Sequence, residues 1–162
     1  IDKTRACEKL GYRLIHIFED EWNNNQEIVK SRIRNILGYS EHKVGARECQ
    51  LKEVDSAIAS KFIDKNHIQG KCGAMYKYGL FYNGELVSIM TFGKQRKNLG
   101  QKTTEGTYEL IRFCNKCGWN VVGGASRLLK HFIKEVQPKK IISYADRRWS
   151  DGGLYETLGF KK

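Results

Sequence analysis

Three observations predict a mixed α/β fold. Apolar residues recur with a period of two in some stretches and near 3.6 in others. Asn83-Gly84 joins two strand-like runs, a strong signal for a tight hairpin. Gly123-Gly124 opens a run with a clear apolar stripe, the pattern of an amphipathic helix. From residue 49 onward the predicted order is β-α-β-β-β-α-β-α, a hairpin-rich mixed sheet with helices returning between strands.

Residues 12–18 read YRLIHIF, rich in β-formers, and predict a strand. Asn23 to Asn25 offer helix caps, and a helix over 26–37 follows, with Ile28, Val29, Ile33, Ile36 and Leu37 near one face and Gly38 as its stop. This pair is too small for its own core, so residues 1–38 read as the end of a domain that began upstream. Residues 39–48 are polar and read as a linker. A short strand over 49–54 comes next. Asp55 caps a helix to about 66, with Ile58, Phe62 and Ile63 facing inward. Residues 67–75 form a loop, and 77–82 and 85–92 are the hairpin strands. Residues 94–106, KQRKNLGQKTTEG, form a basic loop. A strand over 107–114 leads to the Gly-Gly turn and a helix over 125–136, with Leu128, Leu129, Phe132 and Ile133 as its stripe. A strand over 140–145 and a short helix over 153–158 complete the series. One further strand is expected after Phe160.

The 162 residues allow one domain of ordinary size plus an appendage. Lys and Arg number 29 against 18 Asp and Glu, a net charge of +11. That excess favours a polyanionic partner, with an anionic cofactor or a merely basic surface as alternatives. Five cysteines at irregular spacing argue against a disulfide framework and for reduced thiols. No run of apolar residues is long enough for a membrane span, and the first residues lack a signal peptide's apolar run. A cytoplasmic protein without membrane contact is the expectation.

The stretch Asn120-Val-Val-Gly123-Gly124-Ala125-Ser126 resembles the pyrophosphate loop of GNAT-fold N-acyltransferases. Small residues let the backbone approach a phosphate, and the free N–H groups of a helix start hold it. Asn120 stands where Gln or Arg is usual. The stretch Leu154-Tyr155-Glu-Thr-Leu-Gly159-Phe160 is similar to a second GNAT segment, whose tyrosine protonates the leaving thiolate. Together they imply a GNAT-like mixed sheet over 49–162. An acyl-CoA such as acetyl-CoA would then be held by Asn120, Val122, Gly123, Gly124, Ala125 and Ser126.

Within that fold, residues 66–73, 85–93, 108–114 and 142–150 resemble phage Hef-like homing endonucleases, and more distantly the Mom DNA-modification proteins. The resemblance implies His67, Asp146 and Tyr155 as catalytic residues. Residues 8–30 resemble the closing strand and helix of a very-short-patch-repair endonuclease domain, whose divalent-metal-binding acids lie mostly upstream. It thus implies a DNA-binding portion of a homing-endonuclease-like protein, with a nuclease centre outside this chain. The alternative is a Mom-like or ordinary GNAT acyltransferase acting on an amine of DNA, a small molecule or a protein lysine.

A neutral histidine can take a proton from an amine, a carboxylate can orient it, and a tyrosine can act as acid. Glu109 is an alternative base. Lys94, Arg96, Lys97 and Lys102 in the basic loop, with Arg147, Arg148 and Trp149, are the candidates for contact with double-stranded DNA. Arginines would clamp phosphates, and the indole would stack on a base. Cys114 and Cys117 form a CxxC, but zinc would need two further ligands from His67, Cys72 and His131. No metal site is expected in this chain.

Overall fold

A computed structural model of the chain describes residues 2–95, 104–146, 148–150 and 152–161. Three helices come first: α1 (Asp2–Lys9), α2 (Glu19–Asn24) and α3 (Gln26–Ile36). Strand β1 (His42–Gly45), a single 3-10 turn and β2 (Gln50–Glu53) lead to α4 (Ser56–Asn66). Then come β3 (Tyr76–Tyr82), β4 (Glu85–Lys94), β5 (Thr107–Asn115), β6 (Trp119–Val122), α5 (Gly124–Val136), β7 (Lys140–Ser143) and α6 (Gly153–Thr157). Strands β2-β3-β4-β5-β7 form one sheet in that order, antiparallel except for the parallel pair β5–β7. The predicted mixed α/β fold is therefore observed.

The local chemistry explains most of these elements. Asp55 caps α4 by accepting a hydrogen bond from the Ile58 N–H at 2.9 Å. Asn83 and Gly84 both have positive φ, as a two-residue hairpin of the primed type requires. On one face of the sheet, α5 buries Leu128, Leu129 and Phe132 against Tyr78, Leu80, Met90, Phe92 and Leu110. The Phe92 and Phe132 rings stack at 3.7 Å between centroids. On the other face, Ala59 and Ile63 of α4 meet Val54, Ile89 and Cys114. Ile58 and Ile133 were expected inside but are exposed, because each sits at the rim of its helix's apolar stripe.

A bulge divides β5. Pairing with β4 passes from Thr91↔Arg112 to Phe92↔Leu110, so Ile111 is an extra residue. The extra residue reverses which face the side chains take. Leu110 packs with α5, whereas Cys114 packs with α4.

Two predictions for the N-terminal third are corrected. Residues 12–18 form no strand. They have no regular secondary structure, and the His16 N–H donates to the Arg148 carbonyl at 3.2 Å. β-forming side chains do not make a strand without a sheet edge beside them. Residues 39–48 are not a linker. They hold β1, which pairs in parallel with β6, and they bury Val44 and Ala46 in the core. Arg127 of α5 donates to the carbonyls of Ala46 and Cys49, fixing that segment to the helix.

Truncating Phe132 to Ala is expected to cost about 3–5 kcal/mol, since it removes a fully buried ring from a stacked pair. Denaturant titration of wild type and variant measures it.

Candidate functional site

Strands β5 and β7 pair only over Thr107–Leu110 and Lys140–Ser143. Beyond that point β5 continues to Asn115, while the chain after β7 leaves the sheet at Tyr144. The parting begins at the Ile111 bulge. A cavity of about 260 Å³ opens there, on the α4 side of the sheet. His67, Asp146 and Tyr155 all line it, although they come from the end of α4, the loop after β7, and α6. A wider groove of about 930 Å³ runs between α5, β7 and α6. Tyr144, Ala145 and Tyr155 line both spaces.

His67 follows the last turn of α4, and its backbone N–H caps Ile63. Its Nδ1 accepts a hydrogen bond from the Gln69 N–H at 3.1 Å. Burial, together with the positive charges of Arg112 and Arg32, pushes its pKa down to about 4. The ring is therefore neutral near pH 7, and with Nδ1 accepting, its proton sits on Nε2. In that state the Nε2–H is its donor, while Nδ1 is occupied by the Gln69 N–H.

Asp146 accepts from Arg148 three times: from the backbone N–H at 3.0 Å, from Nε at 3.1 Å, and from a terminal nitrogen at 2.7 Å. Burial raises the pKa of this carboxyl. The Arg148 hydrogen bonds and charge outweigh that and hold it below the usual carboxylate value. Arg148 also reaches Glu21 of α2 at 2.8 Å and lies over the Phe18 ring. Arg148 is thus committed to internal ion pairs and is not available as the DNA clamp expected of it. Trp149 is likewise 1% exposed, stacked beneath the Arg32 guanidinium at 4.6 Å, so its face is closed to a base. Both residues pack inward because α2 and α3 cover the loop that carries them.

Lys94 is exposed at the end of β4. Arg96, Lys97, Lys102 and Arg147 lie outside the described residues. Glu109 is buried and lines a different cavity with Arg112 and Gln69. Among the described residues no cluster of three metal-ligating side chains exists, Cys114 and Cys117 included.

Asn120 and Val122 belong to β6, where Asn120 pairs with Lys43. They are strand residues, not loop residues as expected. Gly123 adopts a left-handed φ of +76° and hands the chain to α5, whose first residues are Gly124, Ala125 and Ser126. No acid stands in that first turn and no side chain caps it. Its N–H groups are therefore chemically suited to an anion. A Cβ at Gly124 would lie 3.1 Å from Val121, so a small residue is needed there. Arg32, missed by sequence reasoning, also lines the cavity. Its only sequence signal was a cation on the flank of an apolar helix face.

Solved structures place this architecture among N-acetyltransferases. The aminoglycoside N-acetyltransferase AAC(6')-Iy, in complex with CoA, superposes with a TM-score of 0.56 at 9% identity, covering 70% of this chain and 92% of that one. The same acetyltransferase with a CoA bisubstrate analogue gives 0.52 at 9% identity, over 70% and 91%. A transcriptional regulator from Bacillus halodurans gives 0.52 at 13% identity, over 70% and 93%. The chain thus has a GNAT acetyltransferase-like fold. The sequence model of the Mom protein family matches residues 48–161, most of the chain, and the chain belongs to that family. No curated protein matches it.

The depressed pKa of His67 has a consequence for stability. The unfolded chain takes up the proton first, so the contribution is complete above about pH 6.5 and is lost as the pH falls from about 6.5 to about 4. Denaturant midpoints measured from pH 7.5 to 4 should fall more steeply for wild type than for His67→Gln.

Proposed function

We propose that the chain is an N-acyltransferase that moves an acyl-derived group from an acyl-CoA to an amine on a base of double-stranded DNA. The observation that carries the reading is the meeting of His67, Asp146 and Tyr155 on one cavity, where β5 and β7 part. Family membership and the acetyltransferase-like fold favour acyl transfer over the endonuclease expectation. The net charge of +11 supports a DNA acceptor.

The phosphates of acyl-CoA fit the acid-free start of α5 at Gly124, Ala125 and Ser126. Asp146 Oδ2 accepts one Arg148 bond and keeps room for an N–H of the acceptor amine, which it orients toward the thioester carbonyl. The Nε2–H of His67 polarises a carbonyl oxygen. The amine nitrogen forms the new C–N bond as the C–S bond breaks. Tyr155 gives its proton to the departing sulfur and regains one from the amine, so the amine proton ends on the thiol.

The donor half is tested with Ser126→Glu. An acid in the first turn of α5 suits the helix dipole but repels phosphate, so the fold should hold while acetyl-CoA affinity falls at least about tenfold. Calorimetric titration reads the affinity, and unchanged acetyl-CoA binding would count against the donor site. The acceptor half predicts that duplex DNA binding weakens steeply with salt, at about −0.9 in log–log slope per phosphate neutralised. A slope near zero in fluorescence anisotropy would remove DNA as the acceptor.

A further inference from the structure

The family match begins at residue 48, yet the cavity is not built from the matched span alone. Helix α3 forms one wall of it and turns Arg32 into the lining. Several bonds hold this wall in place. Ser31 accepts from the Gly118 N–H at 3.0 Å, and Glu21 pairs with Arg148 at 2.8 Å. Arg13 donates to the Trp149 carbonyl at 2.6 Å, and the His16 N–H donates to the Arg148 carbonyl at 3.2 Å. All four join residues 13–31 to turns within the matched span.

Arg32 is placed unusually for a cation. Its guanidinium carbon lies over the buried Trp149 ring, 4.6 Å from the centroid. It makes no hydrogen bond or ion pair with another described residue. The two carboxylates that act on it, Asp146 and Glu21, are both engaged by Arg148. Burial pushes its pKa down from the usual arginine value, and the nearby charges of Asp146 and Glu21 offset that only in part. A partly desolvated guanidinium beside a cavity, with no hydrogen-bond partner among the described residues, is a receptor for an oxyanion.

The geometry points to Arg32 as the oxyanion-binding residue of this cavity, holding a phosphate group of the acceptor, with α3 as part of the acceptor site. This deepens the acyl-transfer reading by naming a chemical feature of the acceptor. It is read by binding alone, so it stands or falls separately from transfer. The segment before residue 48 would then complete the site, in place of the separate nuclease remnant expected from the sequence.

The test is calorimetric titration of the full chain with deoxyadenosine 5′-monophosphate, with succinate and with deoxyadenosine. Wild type, Arg32→Met and Arg34→Met are compared. Met keeps an aliphatic stem over Trp149, and thermal melting checks that the variant folds. Arg34 sits on the same helix, half exposed and paired with Glu41, and controls for net charge. Arg32→Met should weaken the oxyanion ligand roughly 10- to 100-fold, while Arg34→Met changes it less than about twofold. Deoxyadenosine binding should be the same in all three. Tight binding of the monophosphate supports the proposal, and tight binding of succinate alone overturns it. The proposal is overturned if neither anion binds, if a folded Arg32→Met binds them as wild type does, or if Arg34→Met loses as much.

Discussion

The parting of β5 from β7 is the constraint on which the rest of the structure depends. Two parallel strands that pair over four residues and then separate leave backbone and side chains facing a gap inside a packed fold. The Ile111 bulge prepares the gap by turning the end of β5 toward α4. Once the gap exists, something must line it. His67 arrives from the end of α4, Asp146 from the chain leaving β7, and Tyr155 from α6. His67 lies about 80 residues before Asp146 and Tyr155 in sequence, and the fold brings it to the same cavity.

The charges around the gap are arranged so that each group is held in one state. Arg148 takes both oxygens of Asp146 and keeps it ionised despite burial. The same guanidinium also pairs with Glu21 of α2. His67 is kept neutral by burial and by two nearby arginines. Breaking a half-buried pair of this kind leaves a charge with only part of its water restored, which costs more than an exposed pair is worth. The helices before residue 37 therefore matter to the site through electrostatics as well as shape.

Much of this was legible in sequence. The Asn83-Gly84 hairpin, the Asp55 cap and, Ile133 apart, the stripe of α5 each follow from local rules and appear as read. The three cavity residues were legible through family resemblance, since no spacing rule joins positions 67, 146 and 155. What failed was non-local. Residues 12–18 carry strand-forming side chains but meet no sheet edge. Residues 39–48 look like a linker because β1 shows one apolar residue, Val44, and its partner β6 lies some 75 residues away, hidden inside a presumed phosphate loop. Trp149 and Arg148 look like surface contacts until α2 and α3 cover them. Arg32 could not be singled out because only the fold sets it over Trp149.

The central claim is that this cavity transfers an acyl group to a DNA amine. Incubating duplex DNA with isotope-labelled acetyl-CoA and the full chain, then digesting the DNA to nucleosides for mass spectrometry, tests it most directly. The account predicts label on a nucleoside that bears an exocyclic amine, and its disappearance when Asp146→Asn replaces wild type. Label absent with wild type, or equal with the Asp146→Asn variant, would contradict it.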